Sequence, residues 1–266
     1  MLRNVLLKTL RDQRRALLWW GIGLVALAVM MSLFYPSVSG NPAIGEYVEA
    51  FPEELLALFA GEIADFTSPE GFLNGELFFL TAPLLLLIFA IGLGSNAIAG
   101  EEERGTLELL LSNPVTRWRV VVEKFGAMVI ATLTLVLVFW MGLAVGSMAI
   151  GMEISLFKLA EACFSAALLG LTFGALALAV GCARGKRGLS IGVASALGVV
   201  AYFLNAVAPV VEVLEPARKL SPVYYYIGAD PLTNGLNLGH AAVLIGLTVV
   251  LLAVALIAFE RRDLAV

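Results

Sequence analysis

The chain has 266 residues, of which 60% are hydrophobic and only 14% are charged, and its mean hydropathy is +0.94. Soluble domains carry about 25% charged residues, so this composition excludes an ordinary soluble protein and indicates an integral membrane protein. The net charge of −4 identifies no partner, because the charged residues are gathered between long apolar runs. Cys163 and Cys182 lie about 28 Å apart along one predicted helix, too far for a disulfide within the chain. We expect both to be buried thiols.

The first 15 residues carry apolar side chains on one helical face and five basic residues mostly on the others. This pattern predicts an amphipathic elbow helix over residues 1–15 that lies on the membrane surface. A signal peptide is disfavoured because no small-residue cleavage site follows the apolar run. The next uncharged run, 16–35, is long enough to cross the hydrocarbon core of a bilayer.

Five further apolar runs meet the same criterion, so we predict an all-α polytopic membrane protein with six transmembrane helices in a single domain, 1–266. The predicted spans are about 16–35, 77–99, 125–150, 162–183, 188–211 and 241–259. Three spans contain Gly-x-x-x-Gly pairs, a spacing that allows close helix packing in lipid. These pairs are Gly142/Gly146, Gly170/Gly174 and Gly188/Gly192.

Basic residues are divided unevenly between the two sides that six spans define. The ends and loops of one side hold 14 Lys and Arg residues, and the loops of the other side hold 3. Basic loops stay on the cytoplasmic side of a membrane. We therefore expect both termini, the loop 100–124 and the loop 184–187 to be cytoplasmic.

The outer loop 36–76 has eight acidic residues and no basic ones. Pro52 predicts the start of a short helix, and Ser68-Pro69-Glu70 predicts another that runs into the second span. We therefore expect a folded acidic cap, whose charge is typical of a solvated face; attraction of cationic substrates is the alternative. The last outer loop, 212–240, contains prolines, glycines and three tyrosines, which favour irregular structure at the membrane interface.

The most charged segment, Ala99–Lys124, lies between the second and third spans. Its three consecutive glutamates, 101–103, suit the first turn of a helix, where acidic side chains meet the positive end of the helix dipole. Asn113 and Pro114 predict the N-cap and first residue of a second helix that leads into the third span. Two helices joined by a turn between membrane spans predict a contact surface at the membrane face.

The inventory of reactive residues disfavours catalysis. His240 is the only histidine, and no His, Cys, Asp and Glu residues have metal-site spacing. Gly181–Arg187, GCARGKR, differs from a phosphate loop in the spacing of its glycines, and Arg187 stands where Ser or Thr is required. We therefore predict no nucleotide, metal or other cofactor site in this chain, and no nucleic-acid binding. An intramembrane enzyme is a distant alternative, because paired carboxylates with histidines are missing from the spans.

Ionisable residues are nearly absent from the predicted spans, and Glu161, at the outer start of the fourth, is the one borderline case. Ion-coupled carriers usually need intramembrane carboxylates or broken helices. A transporter with neither an ATP site nor an evident ion site must take its energy from another subunit. The segment Ala99–Lys124 is then the natural docking surface for that subunit.

Gly100–Lys124, GEEERGTLELLLSNPVTRWRVVVEK, resembles the first cytoplasmic loop of ABC-2-type permeases. These are the membrane subunits of many bacterial ATP-binding-cassette exporters of the type V kind. Leu220-Ser221-Pro222, Gly228–Pro231 and the tail Phe259–Leu264 agree with the same pattern, so the resemblance spans the whole chain.

The resemblance implies a permease of the prokaryotic plasma membrane that pairs with a second permease copy and with two separate ABC ATPase subunits, which bind the ATP and Mg. The loop between spans two and three then forms a coupling helix that rests on the ATPase. An alternative is that its charges only anchor the loop at the lipid headgroups. The candidate coupling residues are Glu103, Arg104, Gly105, Thr106 and Glu108.

In similar exporters, spans two and five line the translocation path, and Pro83 is a possible kink in span two. Aromatic residues with an amide suit a hydrophobic or amphipathic substrate, although helix packing or lipid contact explains each residue equally well. The candidate path residues are Phe78, Phe79, Phe89, Asn96, Phe203 and Asn205.

The function implied by the resemblance is export of a hydrophobic or amphipathic compound, such as a drug, an antibiotic or a lipid-like molecule, without catalysis by this chain. The alternative is an ABC-2-type permease for sodium extrusion, or for metal-centre or envelope assembly through a periplasmic partner. The sequence leaves open the substrate, the direction of transport and whether the two permease copies are identical.

Overall fold

The computed structural model describes residues 4–39, 67–112, 115–209 and 211–262. These residues form helices and short connections, with no strand among them. Most of the predicted acidic cap, including the helix expected at Pro52, lies outside the described residues. The same holds for the predicted N-cap pair Asn113-Pro114.

The described helices are named here in chain order. They are α1 (Val5–Ser39), α2 (Pro69–Leu73), α3 (Thr81–Ala97), α4 (Ala99–Glu103), α5 (Thr106–Leu111), α6 (Arg117–Ala149), α7 (Leu156–Arg184), α8 (Arg187–Val207), α9 (Glu215–Arg218), α10 (Pro222–Ile227), α11 (Pro231–Asn234) and α12 (Leu238–Arg261). A π-helical segment, Asn74–Phe78, lies between α2 and α3, and a 3₁₀ turn, Glu212–Leu214, precedes α9.

Six helical stretches of the described residues are long and apolar enough to cross a bilayer, which confirms the predicted number of spans. They are α1, the stretch from α2 to α3, α6, α7, α8 and α12. The predicted boundary between the elbow helix 1–15 and the first span is not a break, because α1 continues through it. Residues 11–20 contain neither Gly nor Pro and are rich in strong helix formers, so nothing local ends the helix there.

The loop between the second and third spans differs from its prediction at two points. The helix that leads into the third span begins at Arg117 rather than at Pro114, and Thr116, with an extended backbone, is its N-cap. Gly105 adopts the left-handed conformation, with φ of 67°, and divides the preceding segment into α4 and α5. A residue with a Cβ rarely adopts this conformation, so the glycine determines where the chain turns.

The outer half of the second span is irregular. As predicted, Ser68 caps its start, accepting a hydrogen bond from the Gly71 amide at 3.1 Å, and Pro69 is the first helical residue. The π-helical segment then ends in a break at Leu80, whose φ is −130°. Pro83 accounts for the break, because its ring collides with a helical carbonyl four residues earlier and it has no amide to donate. The predicted kink is therefore present, upstream of the proline.

The centre of the bundle is α7, of whose membrane-spanning stretch 83% is buried, against 22% for α1 and for α12. Helix α3 lies along α7 with almost no side chain between the backbones. A Cβ built on Gly94 would fall on the carbonyl oxygen of Gly174, and a Cβ on Gly174 would lie 3.0 Å from the carbonyl oxygen of Ala90. Cys163 and Cys182 are both free and buried in α7, as predicted.

The three predicted Gly-x-x-x-Gly pairs differ in use. Gly170/Gly174 faces α3, and Gly142/Gly146 faces α1, where Ala28 and Ser32 fill the space above the glycines. Gly188/Gly192 meets no atom within 4 Å where a Cβ would lie. Two pairs therefore allow close packing between helices of the chain, and the third lies on the exposed surface of α8.

The helices run alternately between two ends of the bundle. The basic end holds Val5, Arg117, Arg187 and Arg262, and contacts among the chain segments there bring both described chain ends together. The opposite end holds the starts of α2, α7 and α12 and the short helices α9 to α11.

Replacing Gly94 by alanine is expected to destabilise the fold by roughly 1–3 kcal/mol, because α3 and α7 must separate to admit the methyl group. The measurement is the thermal unfolding of detergent-purified protein. The matched control is Gly92→Ala on the same helix, where the added methyl meets no atom within 4 Å and the melting temperature should not fall. Equal losses for both variants would contradict the proposed close contact.

Candidate functional site: a charged cluster and a polar cavity at opposite ends

Three consecutive glutamates of α4 each bind a different part of the bundle at the basic end. Glu101 Oε1 lies 2.5 Å from Nζ of Lys124 on α6. The Lys124 side chain is only 3% exposed and that of Glu101 15%, so the two charges neutralise each other away from solvent. An unpaired ammonium at such a site would be strongly unfavourable. The pair therefore fastens α4 to the third span.

Glu102 forms an ion pair with Arg262, just beyond α12. The same guanidinium donates to the carbonyl oxygen of Cys182 in the last turn of α7, at 3.2 Å. Gly185, which ends α7 with φ of 63°, leaves room for this pair, since a Cβ there would collide with both the Glu102 and the Arg262 side chains. The glycine of the GCARGKR segment is thus a helix C-cap beneath an ion pair.

Glu103 receives a hydrogen bond from the backbone amide of Arg187, the first residue of α8, with a donor–acceptor distance of 2.8 Å. A carboxylate at a helix N-terminus satisfies a free amide and interacts favourably with the helix dipole. Arg104 donates to Asn96 Oδ1 at 2.8 Å, and the Thr106 hydroxyl donates to the carbonyl oxygen of Glu101 at 3.1 Å. The side chains of three of the five predicted coupling residues therefore make hydrogen bonds within the chain.

Two more contacts fasten the remaining helices at the same end. The amides of Val5 and Leu6, at the start of α1, donate to Oε2 of Glu123 at 2.6 and 3.2 Å. Arg117 Nη1 donates to the carbonyl oxygens of Phe259 and Arg262 at 3.3 and 2.7 Å. Five membrane-spanning stretches, α1, α6, α7, α8 and α12, therefore contribute groups to one network of ion pairs and hydrogen bonds. The second span adjoins this network through α4.

The outward surface of α5 is the part of this end that the network leaves exposed. Leu107 and Leu110 are buried, at 2% and 4% exposure, in a cluster with residues of α1, α6, α7 and α12. Glu108 and Leu109 point the other way, and Leu109 is 71% exposed. Gly105 is also exposed, and a Cβ there would meet no atom within 4 Å. Helix α5 is thus held firmly on one side and offers an acidic and apolar face on the other.

A cavity of about 450 Å³ lies at the opposite end. It is lined by the π-helical segment, by the ends of α7 and α8, and by α9 to α11. Three predicted path residues, Phe78, Phe79 and Asn205, line it together.

The other three path candidates lie elsewhere. Phe89 is buried with its ring 5.6 Å from that of Trp20 on α1, and Asn96 binds Arg104 at the basic end. Phe203 is 66% exposed on the surface of α8. These residues therefore do not share one cavity in a single copy of the chain.

The polar groups of the cavity come from segments distant in the sequence. Arg218 Nε donates to Asn205 Oδ1 at 3.2 Å, and its guanidinium lies 5.5 Å from the centre of the Tyr224 ring. Asn74 Nδ2 donates to Asp230 Oδ1 at 2.6 Å. Asp230 caps α11 in the left-handed conformation, with φ of 43°. The sequence analysis did not name Arg218, Asp230 or Asn74 as candidates. For Arg218 and Asp230, the irregularity of the loop 212–240 was the available signal.

Tyr226 holds the irregular wall of the cavity in place. Its hydroxyl donates to the carbonyl oxygen of Phe78 at 2.6 Å, inside the π-helical segment. Burial raises the pKa of this hydroxyl well above 10, so it remains a donor.

Across the described ranges, no group of three or more His, Cys, Asp and Glu side chains is placed to hold a metal ion.

Replacing Glu101 by glutamine is expected to cost about 3 kcal/mol, because it leaves the Lys124 ammonium buried without a counter-charge. The further change Lys124→Met should recover most of the loss, as measured by thermal unfolding. The control is Arg119→Gln, which breaks the exposed ion pair with Glu123 and should cost less than about 1 kcal/mol. Similar losses for Glu101→Gln and Arg119→Gln would contradict the structural role of the buried pair.

No curated protein sequence matches the chain significantly. The profile of one family, described as ABC-2 family transporter protein, matches residues 3–264 and thus nearly the whole chain. This match agrees with six membrane-spanning stretches and with a charged, helical segment between the second and third of them. The chain belongs to the ABC-2 family of transporter proteins and is a membrane transport subunit.

Proposed function

We propose that this chain is the permease subunit of an ATP-driven exporter, energised by two separate ABC ATPase subunits at the basic end. The observation that carries the proposal is the construction of the α4–α5 segment. One face of α5 is exposed and carries Glu108 and Leu109, while the adjoining α4 is bonded to α6, α8 and the end of α12. A force applied to that face reaches three spans through ion pairs and hydrogen bonds.

In this proposal the basic end is cytoplasmic and the membrane is the prokaryotic plasma membrane. Its 14 basic residues, against 3 at the other side, support that orientation. Glu103 and Arg104 act as relays, since their side chains bind Arg187 and Asn96 within the chain. Gly105, Glu108 and Leu109 form the contact with the ATPase, and Thr106 holds the turn between the two groups.

The proposed substrate is a hydrophobic or amphipathic compound of the drug, antibiotic or lipid-like kind. Support comes from Phe78 and Phe79, aromatic residues of the second span that line the cavity together with Asn205 of the fifth. A cavity whose walls are about equally polar and apolar suits an amphipathic molecule.

We further propose that a second permease copy packs on the exposed face of α8. Gly188 and Gly192 lie on this face with open space above them, and small residues at this spacing let two helices approach closely in lipid. Phe203 is exposed near the other end of the same helix.

The coupling assignment predicts a loss of ATPase stimulation when the exposed face of α5 is altered. Glu108→Arg combined with Leu109→Ser should reduce permease-dependent stimulation of the cognate ATPase at least tenfold, because the docking contact loses its charge and its apolar anchor. Reversing both Arg104 and Glu108 should abolish it. The measurement is ATP hydrolysis by the reconstituted complex, together with recovery of the ATPase on affinity-tagged permease.

The control for this experiment is Glu260→Arg, an exposed charge reversal in the last turn of α12 at the same end. It should leave stimulation within twofold of wild type. Full stimulation by the α5 variant, at wild-type membrane levels of permease, would refute the coupling assignment.

The pairing assignment predicts that Gly192→Leu shifts purified permease from dimer toward monomer, because the added side chain holds two α8 helices apart. Cross-linking in native membranes provides the measurement. Gly246→Leu is the control, since Gly246 on α12 is also exposed with no atom within 4 Å. A dimer fraction unchanged by Gly192→Leu would place the second copy on another face.

A further inference from the structure

We infer that the cavity at the opposite end binds an amphiphile through an anionic group, a carboxylate or a phosphate, with Arg218 as the anchor. The inference adds a substrate class to the proposed export function, and it rests on that function for the role of the ligand as cargo. Binding itself is a property of the permease alone and can be measured without the ATPase.

The guanidinium of Arg218 is held in place on one side and has unused donors on the other. Asn205, which is only 4% exposed, receives its Nε–H at 3.2 Å, and the ring of Tyr224 supports the guanidinium at 5.5 Å. Among the described side chains, no carboxylate lies within ion-pair distance of Arg218, and its two terminal nitrogens make no hydrogen bond. A guanidinium fixed through Nε presents its remaining donors in a planar fork, which matches a carboxylate or phosphate.

Asp230, in the same lining, does not neutralise this cation. Its Oδ1 accepts from the Asn74 amide at 2.6 Å and, more weakly, from the backbone of Thr233 at 3.4 Å. The two charged residues of the lining are therefore held apart by partners of their own. Because the Asp230 carboxylate already has donors, while the two terminal nitrogens of the Arg218 guanidinium have no acceptor among the described residues, the cavity favours an anion over a cation.

The walls of the cavity combine polar and apolar groups in about equal measure, as a ligand with an anionic group and an apolar part requires. Phe78 and Phe79 are 4% and 7% exposed, and they line the cavity together with Ala162 and Pro209. Its volume of about 450 Å³ lies within the range of small-molecule sites, roughly 300–1,000 Å³. A free inorganic anion would leave the apolar part of these walls without a ligand group in contact.

Irregular backbone surrounds the same cavity. Asn74 and Phe78 of the π-helical segment line one side, and the helix break at Leu80 follows directly after the lining residue Phe79. Asp230, the only non-glycine residue with positive φ in the described ranges, lines another side. π-Helical turns and strained residues are concentrated at functional sites, and broken membrane helices commonly line binding sites. The irregularity is confined to this end of the second span, since α3 is regular from Thr81 to Ala97.

The test measures binding of dodecyl phosphate to the full-length permease in a neutral maltoside detergent, by isothermal titration calorimetry. Arg218→Gln should weaken binding at least tenfold, because the fork that holds the phosphate is lost. The matched control is Lys219→Gln, which removes the same charge from the next residue, exposed and outside the cavity lining. It should stay within twofold of wild type.

A third variant distinguishes loss of the binding group from misfolding. Arg218→Lys keeps the charge without the planar fork and should give an intermediate loss, while all three variants should match the wild type in thermal unfolding without ligand. Equal weakening by Arg218→Gln and Lys219→Gln would overturn the inference, as would wild-type affinity in Arg218→Gln. Inorganic phosphate alone should bind at least tenfold more weakly than dodecyl phosphate, and equal affinity would overturn the role of the apolar walls.

Native mass spectrometry distinguishes the sources of the anionic group. Phosphatidylglycerol retained by wild type and lost from Arg218→Gln would identify a membrane lipid as the ligand. Binding of added dodecyl phosphate without retained phosphatidylglycerol would identify a different amphiphile, and binding of neither would refute the inference. Normal ATPase stimulation beside a failed binding test would refute the inference and leave the export function standing. Arg218-dependent binding without any ATPase stimulation would support the inference and refute the proposed export function.

Discussion

The buried ion pair between Lys124 and Glu101 is the contact on which the basic end depends. Lys124 lies in a helix that crosses the membrane, and at 3% exposure its charge requires a partner at fixed geometry. Glu101 can meet it only if α4 stays seated against α6. The adjoining carboxylates then fall within reach of Arg262 and of the first amide of α8. One pairing thus sets the position of a segment that joins several spans.

The two ends of the bundle hold their helices together by different interactions. At the basic end, charged groups pair with one another and with helix termini, so the connection between helices is stiff and electrostatic. At the opposite end, the backbone departs from regular helix, and short helices begun by prolines and capped by Ser221 and Asp230 surround a cavity. Between them, α3 and α7 touch backbone to backbone at Gly94 and Gly174. Because no side chain lies between the two backbones at this point, the two helices are packed at a fixed short distance.

The sequence analysis named some of the residues that lie in each of the two candidate regions, and their roles stay predictions. It found the acidic segment after the second span and the residues Phe78, Phe79 and Asn205 on the spans that line the cavity. It assigned Glu103 and Arg104 to an external contact, while both side chains bind within the chain. No local pattern distinguishes a glutamate that binds a neighbouring helix from one that faces a partner. The start of α6 was misplaced because Asn-Pro is a strong local signal, yet the regular helix begins only after an extended Thr116.

The sequence by itself determined the all-helical class, the six spans and the gathering of charge at one end. Hydropathy and helix propensity act over a few neighbouring residues, so they are legible along the chain. Only the tertiary structure decided which carboxylate meets which cation and which side chains enclose the cavity. Those contacts join residues far apart in the sequence, 160 positions for Glu102 and Arg262 and 156 for Asn74 and Asp230. Their geometry follows from how closely α3, α7 and their neighbours pack, which no short stretch of sequence records.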